Sequence, residues 1–401
     1  MPRVLKIILA VCLTAGLVIS AGVWWTTRAR GEPQAQPFAA ATIGPDLKSA
    51  TVLALGEATH GTHEFQQLRL QLVQKLPAFR AIVIEEDYGC VSEVNDYLQG
   101  GRGTAEQAAR RFGFVLNHTG EMADLLAGIR KINDRRAAAD RIQMVGMDVQ
   151  RVDASKRIAL AALQQVAPDT ADKIESELTN WTDESGTPDE QARLRSAVDH
   201  LVRELTTADG VPTEARDAAV ALQQNLTLNR APSYAATRAK IMTTNLKRTV
   251  AAEAARGNMH TLLFAHDGHV DKTSASFPHA DLGKLAARKW GDRYRVIGTD
   301  LHHARVITGE REHRWTVTMT NPSPLRGIFA HTDVGYLDFA EATPTNAALL
   351  NKPVRMASAG ESFHQWQAWV PWFNSVRMTP ASSYDALIMV DDGTPVVPLP
   401  G

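Results

Sequence analysis

The sequence predicts an α/β fold: a mostly parallel sheet core flanked by helices, with a helical insertion over about 154–236. Two observations carry this. Short, wholly apolar runs recur along the chain and end abruptly in polar or ionisable residues, as strands buried on both faces do. Between the first two runs lies a segment of helical spacing, which gives a strand–helix–strand crossover and so parallel strands.

The elements follow in order. Thr51–Leu55 is the first apolar run and stops at Gly56. From Glu64 to Leu76, the apolar residues Phe65, Leu68, Leu72, Val73 and Leu76 repeat near a helical period. Ala81–Ile84 is the second strand and meets Glu85, Glu86 and Asp87. Arg141–Val145 leads to Gly146 and Asp148, and Thr261–Ala265 leads to His266. Tyr294–Ile297 leads to Gly298, Asp300, His302 and His303. Ala386–Val390 is a late strand stopped by Asp391, Asp392 and Gly393. Ligands of open parallel sheets bind beyond the carboxyl ends of the strands, so these polar residues should gather along one edge. Residues 154–236 are rich in Ala, Leu, Gln and Glu and poor in strand formers; they read as either a lid over the site or a structural cap.

Composition narrows the function. With 43 Lys and Arg against 44 Asp and Glu, the formal net charge is -1, and no basic stripe points to nucleic acid. Two cysteines, Cys12 and Cys90, make no disulfide framework. Arg3 and Lys6 precede an apolar run from Ile7 to Trp25, with Arg28 and Arg30 behind it. That pattern is an export signal or a retained membrane anchor over residues 1–30, and places the body in the periplasm or at a membrane. Residues 31–45, with three prolines, read as a linker, and 46–400 as the body.

Three clusters carry chemistry. Gly56-Glu-Ala-Thr-His-Gly61 sets a carboxylate and an imidazole three residues apart just after a strand. Glu57 can accept one N–H of His60 and leave the other nitrogen to take a proton. Of Glu85, Glu86 and Asp87, Glu85 stands at the strand end and is the one expected to face inward; Glu86 and Asp87 read as solvated loop charge. His266-Asp-Gly-His269 is the third cluster. Two His and a carboxylate are also a zinc set, but no HExxH helix accompanies them, and no cofactor is expected. His302 and His303 read as surface residues.

These segments resemble the erythromycin esterase family. The matching pieces are Gly56–Glu64, Ile84–Asp87, Gly146–Val149, Arg238–Met242 with Asn245, Ala265–Val270 and Tyr384–Ile388. The resemblance implies a metal-independent hydrolase that opens macrolide lactones with an activated water. It places the general base on His60, supported by Glu57, with Glu85 and His266 completing the core and holding the carbonyl and its developing charge. Arg69 and His269 match further pocket positions; Asp148 and Arg238 join them as substrate-binding residues. Two departures stand out. Asp267 replaces the usual Asn, an acid that would bind a cation or raise the pKa of His266. Leu116–Glu121 lacks an aromatic often found there and carries His118 instead. The expected partner is a small ester or lactone. The alternatives are a metal- or haem-binding protein on the same fold and a biosynthetic transferase or cyclase using the same acid–base residues.

Overall fold

The computed structural model describes residues 31–181, 187–310 and 313–400; the expected export segment, residues 1–30, lies outside the described residues. The strands are β1 (Gln36–Pro37), β2 (Val52–Glu57), β3 (Ala81–Asp87), β4 (Gln143–Asp148), β5 (Thr261–His266), β6 (Tyr294–Glu310), β7 (His313–Thr320), β8 (Val334–Asp338), β9 (Val354–Ala357), β10 (Ser375–Met378) and β11 (Ala386–Gly393). Nine form one sheet in the order β1-β8-β11-β6-β2-β5-β3-β4, with β7 added beside β6. The pairings from β11 to β4 are all parallel, so the mixed α/β sheet is parallel at its centre and antiparallel at one side. Every residue of β2 and β5 is buried, the physical reason their sequences are unbroken apolar runs.

Parallel register builds the site edge. β2 and β5 pair from Val52↔Thr261 to Glu57↔His266, which puts Glu57 beside His266. β3 pairs with β5 up to Ile84↔Phe264, so Glu85 emerges next to them. The helix α1 (His63–Lys75) buries Phe65, Gln66, Leu68, Arg69, Leu72 and Val73 on one face. A buried arginine on that apolar face is tolerated because it pairs with Glu57.

The structure corrects several boundaries. β6 does not end at Ile297; it runs to Glu310, because β11 accompanies it as far as Ala304 and β7 pairs back antiparallel along its second half. His302 and His303 are therefore strand residues set against Asp391 and Asp392, outside the cleft described below. Residues 31–45 are laid on the sheet rather than loose: β1 pairs with β8, and Phe38 and Ile43 are buried. Two apolar anchors were masked by the prolines and polar residues around them. Residues 153–229 form α2 (Asp153–Val166), α3 (Pro168–Leu178), α4 (Pro188–Thr207) and α5 (Thr213–Asn229). Their apolar faces meet in a core of their own around Leu163, Ile174, Leu201 and Leu222. α6 (Tyr234–Ala255) then packs back onto β4.

Asp267 is turned away from the cleft, into the sheet. It accepts from the Thr299 hydroxyl at 2.9 Å and from the Thr299 backbone N–H. Thr299 in turn accepts the Ala58 N–H at 2.7 Å. This chain ties β5, β6 and the Gly56–Ala58 corner together. A Cβ on Gly56 would fall 1.8 Å from Asp267 Oδ1, so only glycine fits there. Burial pushes the Asp267 carboxyl well above its ordinary range, opposed by its Thr299 hydrogen bonds and helped by Asp300 and Glu57. The expectation that Asp267 raises His266 fails, since His266 is shifted the other way (below).

A carboxyl whose folded pKa is raised contributes its full stability below its unfolded value of about 3.9, and that stability is lost as the pH climbs to and through the folded value. Asp267→Asn removes that loss. Its melting temperature is expected to exceed wild type near about pH 8 and to approach it near about pH 4. A pH-independent drop in melting temperature would show that an ionised Asp267 is needed.

Candidate active site

At the carboxyl ends of β2, β3 and β5 lies a cleft of ≈ 440 Å³ lined by Glu57, His60, Arg69, Glu85, Arg238, His266 and His269, among others. Seven of the eight residues predicted from sequence thus converge. The eighth, Asp148, does not reach the cleft: it is fully buried beneath Arg238.

Glu57 sits between a base and a cation. Its Oε1 lies 2.6 Å from His60 Nδ1 and its Oε2 accepts from Arg69 at 2.7 Å. Burial would raise the Glu57 pKa, but Arg69 and His60 hold it below the usual range. An ionised Glu57 fixes the His60 proton on Nδ1 and leaves Nε2 as the open acceptor. Burial would lower the His60 pKa; the hydrogen bond and charge of Glu57, with Glu85 and Glu361 beyond, outweigh it and raise it. Arg69 spends its other hydrogen bond on Met122 Sδ. Its geometry is that of a support for Glu57 rather than a hand on the substrate.

His266 is the opposite case. It is the N-cap of the short turn Asp267–Val270, and its Nδ1 accepts the Gly268 N–H at 3.1 Å. Burial, aided by the charge on His60, brings its pKa down to about 4. The ring is therefore neutral at ordinary pH, and since Nδ1 accepts, Nε2 must carry the proton. That Nε2 is buried with no hydrogen-bond partner. The two rings stand 5.1 Å apart between centroids. A basic imidazole with an open acceptor thus faces a neutral one with an unused donor.

Glu85 is the hub of the far wall. Its Oε2 accepts the His266 backbone N–H at 2.9 Å; Oε1 accepts from Arg238 at 2.8 Å and lies 3.2 Å from His269 Nε2. Burial alone would raise its pKa, but His269, Arg238 and His60 hold it well below the carboxylate range. Arg238, on α6, is clamped by two hydrogen bonds to Asp148 Oδ2, at 2.8 and 2.6 Å. His269 Nε2 also lies 3.1 Å from Arg238 Nη1, which would suit a neutral ring. Two carboxylates, Glu85 and Asp281 at 2.9 Å, outweigh that neighbour and the effect of burial, and raise its pKa to about 9. Phe277 stacks on its ring at 5.2 Å.

Glu86 and Asp87 are not solvated. β3 continues to Asp87, so the acids alternate across the strand, and both are buried. Glu86 accepts from the Phe114 N–H and Asn117 Nδ2, each at 3.0 Å, and burial raises its pKa to about 7. It thereby fixes the loop whose Phe114, Leu116 and Asn117 line the cleft. Phe114 supplies an aromatic wall; His118 turns aside to the Phe112 carbonyl. Sequence reasoning missed Phe277, Gln150 and Glu361, which also line the cleft. They come from irregular segments with no periodicity to mark them. Among the described residues, no group of three or more His, Cys, Asp or Glu side chains is arranged to hold a metal ion.

The family model described as erythromycin esterase matches residues 77–393. Three solved structures share the fold. A succinoglycan biosynthesis protein superposes with a TM-score of 0.73 at 17% identity, covering 88% of this chain and 91% of that one. A protein from Bacillus cereus gives 0.73 at 21% identity, covering 94% and 98%. A variant of the erythromycin esterase EreC in its open conformation gives 0.60 at 17% identity, covering 87% and 92%. With the family model spanning most of the chain, this protein belongs to the erythromycin esterase family.

Proposed function

We propose that the protein is a hydrolase that cleaves a small ester or lactone with a water activated by His60. The observation that carries this reading is the contrast between His60 and His266: a proton acceptor and a neutral proton donor, held side by side on one cleft. Membership of the erythromycin esterase family supports a hydrolase of macrolide-like esters.

His60 Nε2 takes a proton from water as the water oxygen bonds to the acyl carbon, and the carbonyl electron pair moves onto its oxygen. Glu57 stabilises the resulting imidazolium, and Arg69 keeps Glu57 ionised and in place. His266 Nε2–H donates to the oxyanion, its proton held there by the Gly268 N–H. A neutral donor in a dry setting suits this, because its hydrogen bond strengthens only as charge develops. Collapse breaks the acyl–oxygen bond, and the leaving alkoxide takes back the proton from His60. An ionised Glu85 has no proton to offer an oxyanion; its part is to position Arg238 and His269, whose positive charge faces the cleft. Asp148 and Asp281 act behind them. Phe114, Leu116 and Phe277 give the substrate an apolar wall.

Loss of a positioned general base costs about 10²–10⁴-fold in rate. His60→Ala is expected to lose that much kcat/KM on any ester the protein cleaves, while its circular dichroism stays that of wild type; near-normal turnover would remove His60 from the role.

The pH profile gives a sharper check. The base works only when unprotonated, so kcat/KM should fall as the pH drops through the His60 pKa, which lies above the ordinary imidazole value of about 6.5. Glu57→Gln deletes the largest influence raising that pKa. The acid limb should then move to lower pH while the plateau rate falls. A limb that stays put would mean that another group is titrating.

A further inference from the structure

Beyond the cleft, the loop joining β9 to β10 carries the largest exposed aromatic cluster among the described residues. Trp366, Trp369, Trp372 and Phe373 are 53%, 75%, 72% and 48% exposed. Surface aromatics scattered singly need no account, but four within eight residues form a patch. The base of the loop is fixed. His364 stacks on Trp315 with centroids 4.5 Å apart. The Phe363 carbonyl accepts from Thr308 Oγ1 and Trp315 Nε1 at 2.6 and 2.8 Å, and Gln365 bonds the backbone of Thr318 twice. The tips are therefore presented outward from a rigid foot. Trp366 and Phe373 touch edge to face at 5.2 Å, and Arg355 lies over the Trp372 ring at 5.4 Å.

We propose that this aromatic rim docks the protein on the surface of an anionic lipid bilayer. Three features select that occupant. First, tryptophan is the side chain that favours the bilayer interface, where its ring is apolar and its N–H stays wet. Second, beyond Glu361 at its root, on the cleft side, the loop carries no negative charge. No acidic residue occurs from Ser362 to Met378, while Arg355 and Arg377 pair across the β9–β10 ribbon at the foot of the loop. Third, the area is small. At ~150–250 Å² per aromatic side chain, the exposed parts total on the order of 500 Å². That falls short of the about 800 Å² per partner of a standard protein interface, yet is ample for shallow insertion. The apolar run Ile7–Trp25 is a separate feature of the same chain that suits membranes. Ser358, Gly360, Glu361 and Val376, at the roots of the loop, line the cleft, so docking would set its mouth beside lipid. The proposal does not depend on the chemistry argued above.

The test uses the full chain and its tryptophan emission, with the signal of W366F/W369F/W372F subtracted to isolate the three rim residues. With vesicles of phosphatidylcholine and phosphatidylglycerol, that difference emission is expected to shift to the blue and to be quenched by bromine on the lipid acyl chains. R355Q/R377Q should weaken the vesicle response roughly tenfold or more, at about 1 kcal/mol per basic residue near an anionic surface, with an unchanged melting temperature. Emission that stays red and open to aqueous acrylamide with vesicles present would overturn the proposal. So would an equal response to phosphatidylcholine alone, or burial of the rim by self-association without lipid in sedimentation velocity.

Discussion

Two carboxylates on the cleft wall govern this protein. Glu57, buried, and Glu85, with only a tenth of its side chain exposed, stand at the ends of apolar strands. An unpaired charge there costs several kcal/mol, so each needs a cation of its own. Arg69 on α1 serves Glu57, and Arg238 on α6 serves Glu85. These two pairings tie both helices, which dock by their apolar faces, to the strand ends of the cleft. Asp148, fully buried, serves the second pair by holding Arg238 rather than by meeting a ligand.

The same charges set the two histidines at odds. His60 hydrogen-bonds an ionised acid and is drawn toward its cationic form. His266 spends Nδ1 on a backbone N–H, sits close to His60, and is driven neutral. Neither state is a property of histidine in this sequence; each follows from one hydrogen bond and the local balance of burial and charge. Asp267 completes the frame as an acid folded inward against Thr299 and Gly56, stitching the corner that carries Glu57.

Much of this was legible in the sequence. Parallel strands buried on both faces announce themselves as unbroken apolar runs, and for three of them the first ionisable residue after the run faces the cleft: Glu57, Glu85 and His266. What local sequence could not carry was direction. Glu86 and Asp87 read as solvated because three acids in a row rarely stay buried, and only the continued strand, with Phe114 and Asn117 donating to Glu86 and the Arg151 N–H donating to Asp87, explains them. His302 and His303 seemed to close a strand at Ile297, but β11 and β7 extend β6 past them. Phe277 and Glu361 depend on loops whose path is set by tertiary contacts alone. Arg69 and Arg238 were recognisable as site residues, yet their work as partners of buried acids needed the geometry.

The central claim is that His60 and His266, 5.1 Å apart, have pKa values shifted in opposite directions and, when neutral, carry their protons on opposite ring nitrogens. Nitrogen-15 NMR of the imidazoles, assigned with His60→Gln and His266→Asn, reads it directly. The His60 signals should titrate above the ordinary value of about 6.5, whereas His266 should remain neutral with its proton on Nε2 until the pH nears about 4. A His266 that titrates at the ordinary value or carries its proton on Nδ1, or a His60 that titrates below that value, would contradict the account.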